Sequence, residues 1–192
     1  MQTLFFLRGI PASGKTTWAK DLVNRSNGRV KRVNRDDLRA LLDEGKFSPD
    51  NERIVTSTRN HIIETSLRRG FDIIVDDTNF NEKNFLEILD ICKRVGDITI
   101  VQKFFSISLK EAIRRNSHRT KVYPVPNHII ESMYEKHIKN RKFNDDWNSN
   151  QYIPKLTAFK RKDQLPDCII FDIDGTVAVS YTHLRAHETD RH

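Results

Sequence analysis

Short apolar runs alternate with longer amphipathic segments along residues 1–143 of this 192-residue chain. Four runs are rich in β-branched and aromatic residues, as buried strands are: "TLFFLR", the weaker "RVKRV", "FDIIVDDTN" and "ITIVQKFF". The segments between them repeat apolar residues at helical spacing. This alternation predicts an α/β fold in which a parallel sheet carries helices on both faces.

Local residues mark several helix ends. The segment from Pro49 to Arg69 begins with proline and stops before Gly70, and Ser108 with Glu111 forms a capping box for a later helix. Four other helices are predicted. The first follows Lys15, and the second begins at Leu38 and has Leu41 and Leu42 on its apolar face. The third runs from Glu82 to Val95 and the fourth from Ile129 to Ile138.

The regular pattern fades after Phe143. The following segment is polar, basic and interrupted by prolines, which predicts a linker. The strand pattern "CIIFDID" then begins a second unit, while the last residues show neither helical nor strand periodicity. We therefore expect a domain at 1–143, a linker at 144–167, the truncated start of another domain at 168–178, and a non-native or disordered tail at 179–192.

The formal net charge of +7 is concentrated in two stretches. Lys110 to Lys142 holds nine Lys or Arg residues against three Glu, and Lys20 to Arg39 holds seven against three Asp. Clustered basic residues suggest an acidic partner, of which nucleic acid is the commonest. A solvated helix face gives the same count, so both interpretations stay open.

No apolar run approaches the roughly 20 residues that cross a bilayer, and no secretory leader pattern is present. We therefore expect a soluble cytoplasmic protein that has no membrane partner. The two cysteines, Cys92 and Cys168, lack metal-like neighbours in the sequence and are expected to be buried reduced thiols.

A glycine-rich loop between the first strand and first helix satisfies the pattern G-x-x-x-x-G-K-[ST]. Its backbone N–H groups and the helix N-terminus are suited to hold phosphates, Lys15 to reach the β- and γ-phosphates, and Thr16 to bind Mg²⁺. The residues expected to contact the nucleotide are Gly9, Ile10, Pro11, Ala12, Ser13, Gly14, Lys15, Thr16 and Thr17.

The second strand ends in "VNRDDLR", at the sheet edge where open α/β folds bind ligands. An aspartate there is able to accept the proton of a substrate hydroxyl, and Arg35 and Arg39 to hold an anion nearby. The alternative is that Asp36 and Asp37 only cap the helix that starts at Leu38. Both interpretations are compatible if each applies to a different aspartate.

Two further groups of polar residues suggest phosphate chemistry. Asp76 or Asp77, after the third strand, would orient the Mg²⁺ shell or an arginine, unless they only shape the loop. Arg115 and Arg119 lie four positions apart on a predicted helix before a proline-bounded loop. This spacing suggests a helical lid whose arginines fold over a transferring phosphate, and a solvated basic helix is the alternative.

The motifs "GIPASGKTTWA", "NRDDLR", "DDTN" and "RRNSHR", followed by "FDIDGT", occur in the order of a known family. Over residues 1–178 the chain resembles the bacteriophage-type polynucleotide 5′-kinase/3′-phosphatases. In that family a P-loop NTPase-type kinase domain precedes a haloacid-dehalogenase-type phosphatase domain. The resemblance implies transfer of the γ-phosphate of ATP, with Mg²⁺, to 5′-hydroxyl ends of DNA or RNA.

The same resemblance implies specific residue roles. Lys15 and Thr16 would serve the phosphates and metal, Asp36 would be the general base for the 5′-hydroxyl, and Arg39 would hold the 3′-side phosphate. Asp77 and Thr78 would lie in the acceptor pocket. Arg115 and Arg119 would bind the donor phosphates, with Lys15, Asp36 and Arg119 the catalytic set.

The "DIDGT" motif implies Asp172 as phosphatase nucleophile and Asp174 as general acid and base. The chain departs from the family by stopping soon after this motif, so we expect kinase activity without 3′-phosphatase activity. Two other hypotheses stay open: a P-loop kinase of a small-molecule hydroxyl, and a non-catalytic, nucleotide-gated RNA-binding module. The sequence predicts neither an oligomeric state nor a preference for DNA or RNA.

Overall fold

The computed structural model describes residues 1–119, 124–139 and 148–155. Within these residues the chain forms five strands: β1 (Gln2–Arg8), β2 (Val30–Val33), β3 (Asp72–Val75), β4 (Ile98–Phe104) and β5 (Ser149–Ile153). The helices between consecutive strands are α1 (Lys15–Arg25), α2 (Arg35–Asp43), α3 (Pro49–Arg68), α4 (Glu82–Val95), α5 (Leu109–Ser117), α6 (Asn127–Tyr134) and a π-helical turn (Glu135–Lys139).

The strands form one sheet in the order β2-β3-β1-β4-β5. The first four are parallel, and Leu4 of β1 pairs with Ile73 on one side and Ile100 on the other. The carboxyl ends of these strands therefore share one edge, to which they deliver the loops that follow them. The predicted α/β fold is confirmed, but the sheet is mostly rather than wholly parallel because β5 is antiparallel to β4.

Strand β5 corrects the predicted extent of the sheet. It lies inside the segment 144–167, for which the polar pattern predicts a linker. Its first four side chains are partly or fully exposed, and only Ile153 is buried, so the sequence lacks the alternation of a half-buried strand. An edge strand is held mainly by its backbone ladder, here supported by a 2.8 Å hydrogen bond from Gln102 Nε2 to Ser149 Oγ.

Both faces of the sheet are covered by helices. Leu4 and Phe6 of β1 point to one face, where they pack with apolar residues of α3 and α4 such as Ile63 and Ile88. Leu7 points to the opposite face and packs with Ala19 of α1. This alternation follows from the two-residue period of a strand and fixes β1 between two layers.

Two helices differ from the sequence prediction. Helix α2 begins at Arg35 rather than Leu38, because the Asn34 side chain caps it by accepting a 2.7 Å hydrogen bond from the Asp37 backbone N–H. Leu38 is buried, whereas Leu41 and Leu42 are exposed. The predicted helix from Ile129 to Ile138 is divided into α6 and the π-helical turn.

Further expectations from the sequence concern the cysteines, membrane-spanning helices and the C-terminal segments. Cys92 is a buried free thiol, as predicted, and burial raises its pKa to about 12. In the described part of the chain, no helix combines the length and apolarity needed to cross a membrane. Cys168, the "FDIDGT" motif and the segments 168–178 and 179–192 lie outside the described residues.

We expect Gly96→Ala to destabilise the protein by disturbing the contact between Gly96, which follows α4, and Lys155, which follows β5. Gly96 has φ 75° and ψ 163°, a conformation that is essentially restricted to glycine, and an added Cβ would lie 2.6 Å from Lys155 Cα. The combined strain and overlap should lower the free energy of unfolding by about 2–5 kcal/mol. Urea denaturation measures this change.

Gly45→Ala is the matched control, since Gly45 has φ 79° but no atom within 4 Å of an added Cβ. Gly45→Ala should lower the free energy of unfolding by the conformational strain alone, about 1–2 kcal/mol. Equal losses in the two variants would contradict the docking of residues 148–155 against α4.

Candidate functional site

The loop between β1 and α1 depends on two glycines. An added Cβ on Gly9, at φ 154°, would lie 2.6 Å from Ser13 Oγ and 3.1 Å from the carbonyl oxygen of Phe105. Gly14 adopts φ 101° and ψ 0° immediately before α1. Beneath the loop, Ile10 is buried against α5 and α6. The close contacts of the Gly9 backbone and the burial of the Ile10 side chain therefore fix the position of the loop.

Lys15 lies under this loop. Its Nζ donates hydrogen bonds of 2.8 Å to the carbonyl oxygen of Gly9 and 2.9 Å to that of Ile10, and its side chain is buried. Burial lowers the pKa of Lys15 to about 8, although the nearby Asp76 carboxylate opposes this effect. The ammonium group is thus held within the loop by backbone carbonyls, close to where phosphates would lie.

A cavity opens above the loop, and we call it the loop cavity. It is lined by Ala12, Ser13, Gly14, Lys15, Thr16, Thr17, Arg115 and Arg119. The prediction that both arginines lie on one helix face is wrong, because α5 ends at Ser117 and Arg119 follows it. The structure nevertheless brings both arginines to the loop. Arg115 Nε also donates a 2.7 Å hydrogen bond to Glu111 Oε1.

A second cavity, the central cavity, lies at the carboxyl ends of β2 and β3. It is lined by Pro11, Lys15, Thr16, Arg35, Asp36, Arg39, Asp76, Asp77, Thr78, Arg119, Val125 and Met133. It shares Lys15, Thr16 and Arg119 with the loop cavity. The arrangement therefore joins a phosphate-binding loop directly to a group of carboxylates and arginines.

The two neighbouring aspartates of α2 have different environments. Asp37 accepts hydrogen bonds of 2.7 Å from Arg32 Nη1 and from Asn34 Nδ2, and it does not line the central cavity. Hydrogen bonds from Asn34 and Arg32 hold the pKa of Asp37 below its usual value, although partial burial opposes them. The Asp36 side chain is 90% exposed, lines the central cavity and pairs with Arg39. Only Asp36 is thus placed to meet a substrate, and neither aspartate is the N-cap of α2.

Arg39 links α2 to α3. Its guanidinium contacts both carboxylate oxygens of Glu52 near the start of α3, and it also contacts Asp36. Two carboxylates therefore hold this cation at the wall of the central cavity. A bidentate pair of this kind orients the guanidinium plane as well as its charge.

Asp77 lines the central cavity, but its carboxylate oxygens are engaged by buried contacts. Its Oδ1 accepts a 2.9 Å hydrogen bond from the backbone N–H of Arg35, and its Oδ2 lies 3.4 Å from Arg35 Nε and 3.5 Å from Arg59 Nη1. Arg59, on α3, is fully buried and also lies 3.6 Å from Glu87 of α4. Asp77 thus connects the end of β3 to the first residue of α2 and to α3.

Asp76 provides the best candidate metal ligand beside Thr16. Its Oδ2 accepts a 2.7 Å hydrogen bond from Arg32 Nε, whereas its buried Oδ1 has no hydrogen-bond partner among the described residues. Burial raises the pKa of Asp76, and the Arg32 guanidinium and the Thr16 hydroxyl oppose the rise. Hydroxyl and carboxylate oxygens are ligands that Mg²⁺ accepts when phosphates and waters complete its shell, so these residues fit the ion.

In the described part of the chain, no three His, Cys, Asp or Glu side chains cluster so as to hold a metal by themselves.

Two buried or half-buried arginines were not predicted as parts of the site. Arg32 lies on a four-residue strand, "VKRV", whose sequence does not mark it as paired, so only the fold reveals that it pairs with both Asp76 and Asp37. Arg59 carries a sequence signal, because it occupies the four-residue repeat of Val55, Ile63 and Leu67 that forms the buried stripe of α3. A cation in an apolar stripe indicates a buried ionic partner.

A phosphate-binding loop between a parallel strand and a helix, with carboxylates at the adjacent strand ends, defines a P-loop kinase fold. Residues 4–141 match the profile of the AAA domain family, and the chain belongs to this family. A chain of the Pnkp1/Rnl/Hen1 RNA repair complex superposes with a TM-score of 0.67 at 24% identity, covering 85% of this chain and 52% of that one. This likeness concerns the fold.

Two relatives are similar in sequence. A candidate bifunctional polynucleotide kinase/RNA ligase of Autographa californica nuclear polyhedrosis virus is 27% identical over 185 residues, which cover 92% of this chain and 25% of the relative. The L-seryl-tRNA(Sec) kinase of Methanococcus maripaludis is 28% identical over 136 residues, which cover 69% and 51%. The chain thus spans about a quarter and about half of these relatives' lengths.

We expect Arg59→Met to destabilise the protein strongly, because it leaves the buried Asp77 carboxylate without its α3 partner. Removal of one member of a buried ion pair costs about 3–5 kcal/mol, measured as the free energy of unfolding in urea. Arg53→Met on the same helix is the control. Arg53 pairs with Asp50 at the surface, so its loss should cost less than about 1 kcal/mol. Similar losses in the two variants would contradict a structural role for Arg59.

Proposed function

We propose that the chain is a polynucleotide 5′-hydroxyl kinase, which transfers the γ-phosphate of ATP to the 5′-hydroxyl end of DNA or RNA. The observation that carries this proposal is the shared wall of the two cavities. Lys15, Thr16 and Arg119 face both, so a phosphate on the loop lies next to Asp36. The similarity to the viral polynucleotide kinase/RNA ligase supports a nucleic-acid end as the acceptor.

The donor triphosphate is bound in the loop cavity. Backbone N–H groups of residues 12–17 and the N-terminus of α1 hold its phosphates, while Lys15 neutralises the β- and γ-phosphates. Thr16 and Asp76 would hold Mg²⁺, which would supply positive charge to offset that of the phosphates. Arg115 and Arg119 also line the loop cavity and stabilise the charge that develops on the transferring group.

The acceptor hydroxyl is bound beside Asp36 in the central cavity. Asp36 takes the proton as the hydroxyl oxygen bonds to the γ-phosphorus, and the bond from that phosphorus to the β-phosphate oxygen breaks to release ADP. The exposure of Asp36 allows the substrate to reach it, and its contact with Arg39 orients the carboxylate. Arg39 holds the phosphate on the 3′ side of the first nucleoside.

The environment of Asp77 changes the role that the resemblance implies. Thr78 lines the central cavity and is available to the acceptor, whereas Asp77 is engaged by Arg35 and Arg59. We assign Asp77 to positioning: it holds the first turn of α2, which carries Asp36 and Arg39. Arg35 remains at the cavity wall as a cation for the acceptor strand.

A second candidate is a P-loop kinase that acts on a small hydroxyl group. The similarity to L-seryl-tRNA(Sec) kinase over 69% of the chain favours it. Such an enzyme would use the same loop and the same carboxylate base, so the acceptor alone separates the two candidates. The absence of 3′-phosphatase activity also stays a prediction, because "FDIDGT" lies outside the described residues.

Incubation with γ-labelled ATP and Mg²⁺ tests the acceptor class. We expect a 5′-hydroxyl oligonucleotide to be labelled, because its phosphates meet the arginines of the central cavity. An oligonucleotide with a 5′-phosphate is the control and should stay unlabelled. Labelling of small alcohols or free nucleosides at the same rate as the oligonucleotide would favour the second candidate.

Asp36→Asn should lower turnover by about 10²–10⁴ with ATP binding retained, since it preserves shape but removes the base. Asp37→Asn is the matched control and should have a milder effect on turnover, because Asp37 contacts Arg32 and Asn34 instead of the cavity. Single-turnover labelling measures the chemical step, and fluorescence titration measures ATP binding. The reverse order of the two effects would identify Asp37 as the base.

A further inference from the structure

A third cavity, which we call the outer cavity, continues the central cavity away from the phosphate loop. The two share Arg35, Thr78 and Met133 along their common wall. The outer cavity is open to solvent beyond this wall, where Lys136 is exposed. A chain that enters the central cavity at Asp36 can therefore continue into the outer cavity without leaving the surface.

An aromatic pair forms one part of the outer cavity. The rings of Phe80 and His137 stack with centroids 4.5 Å apart and an interplanar angle of 2°. His137 is presented by the π-helical turn, a local widening of the helix that is common at functional sites. Burial and the neighbouring Lys136 lower the pKa of His137, which favours the neutral ring. Flat aromatic surfaces of this kind bind nucleobases of any sequence.

The remaining wall is polar and cationic. Lys136 and Arg35 are its charged side chains, and the amides of Asn81 and Asn84 complete it. Among the described residues that line the outer cavity there is no carboxylate. Arg39, Arg35 and Lys136 therefore follow one another outward from Asp36, with Arg35 common to both cavities. This succession suits a ligand that carries a negative charge at each repeat.

We propose that the outer cavity is a subsite for the second nucleotide of the acceptor strand, with its base against the Phe80–His137 pair and its 3′-side phosphate beside Lys136. The proposal rests on the proposed polynucleotide kinase function and deepens it. It makes a strand of two or more nucleotides the preferred acceptor, and because stacking tolerates every base, it gives length selectivity without sequence selectivity.

The test compares a nucleoside 3′-monophosphate, a dinucleotide and a tetranucleotide, each with a 5′-hydroxyl and a 3′-phosphate, as acceptors for γ-labelled ATP. We expect kcat/KM to rise by about tenfold or more from the first acceptor to the second, mainly through KM, and to change little from the second to the third. Equal kcat/KM values for the first two acceptors would overturn the proposal while leaving the kinase function intact.

Lys136→Ala and His137→Ala should each remove most of this gain with the dinucleotide and change kcat/KM for the mononucleotide much less. Lys136→Ala should also lower the log–log salt slope of dinucleotide binding by about 0.7, whereas His137→Ala should leave the slope unchanged. Mononucleotide activity reports that each variant is folded.

Lys139→Ala is the matched control for charge, because Lys139 lies in the same π-helical turn, pairs with Glu135 at 2.9 Å and does not line the outer cavity. It should preserve the dinucleotide gain. Equal effects of Lys136→Ala and Lys139→Ala would show that only general surface charge matters and would overturn the subsite. Failure to label any of the three nucleotide acceptors would instead overturn the polynucleotide kinase function, and the subsite with it.

Discussion

The buried carboxylate of Asp77 is the contact on which the candidate site depends. It accepts a hydrogen bond from the backbone of Arg35 and lies against the guanidinium of Arg59, so one side chain joins the end of β3 to the first residue of α2 and to α3. A carboxylate in this position is costly to bury unless each of its oxygens meets a donor. Because the contacts fix the first turn of α2, they also fix Asp36, which has little packing of its own.

The phosphate loop is held by comparable contacts from the neighbouring strand ends. Gly9 donates its backbone N–H to the carbonyl oxygen of Thr78 at 3.2 Å, and Asn79, at φ 53°, donates from Nδ2 to the carbonyl oxygen of Leu7 at 2.8 Å. Arg8 Nη1 donates to the Asn79 carbonyl oxygen at 2.7 Å. The "DDTN" segment is therefore a support for the loop as well as a source of carboxylates, and this explains why its residues are mostly buried.

A small apolar cluster connects the loop to the helices that carry the outer cavity. Ile10 packs with Ala112 of α5 and Ile130 of α6, and Phe80 and Met133 lie at the edge of this cluster. The same apolar cluster therefore positions the loop, Arg115 of α5 and the π-helical turn after α6. In a kinase, this shared core would couple the wall of the donor site to the wall of the acceptor site.

The sequence by itself determined the strands of the parallel sheet, most helices and the phosphate loop, because these depend on local patterns of apolar, glycine and polar residues. The tertiary structure decided which of the adjacent Asp36 and Asp37 lines the central cavity: Asp36 does, whereas Asp37 is held by Arg32 and Asn34. It also decided that Ser149–Ile153 is a strand, since an edge strand is held by backbone pairing that leaves no apolar period. Ion pairs and backbone pairs between residues distant in the chain leave no local pattern in the sequence. For this physical reason only the tertiary structure decided these features.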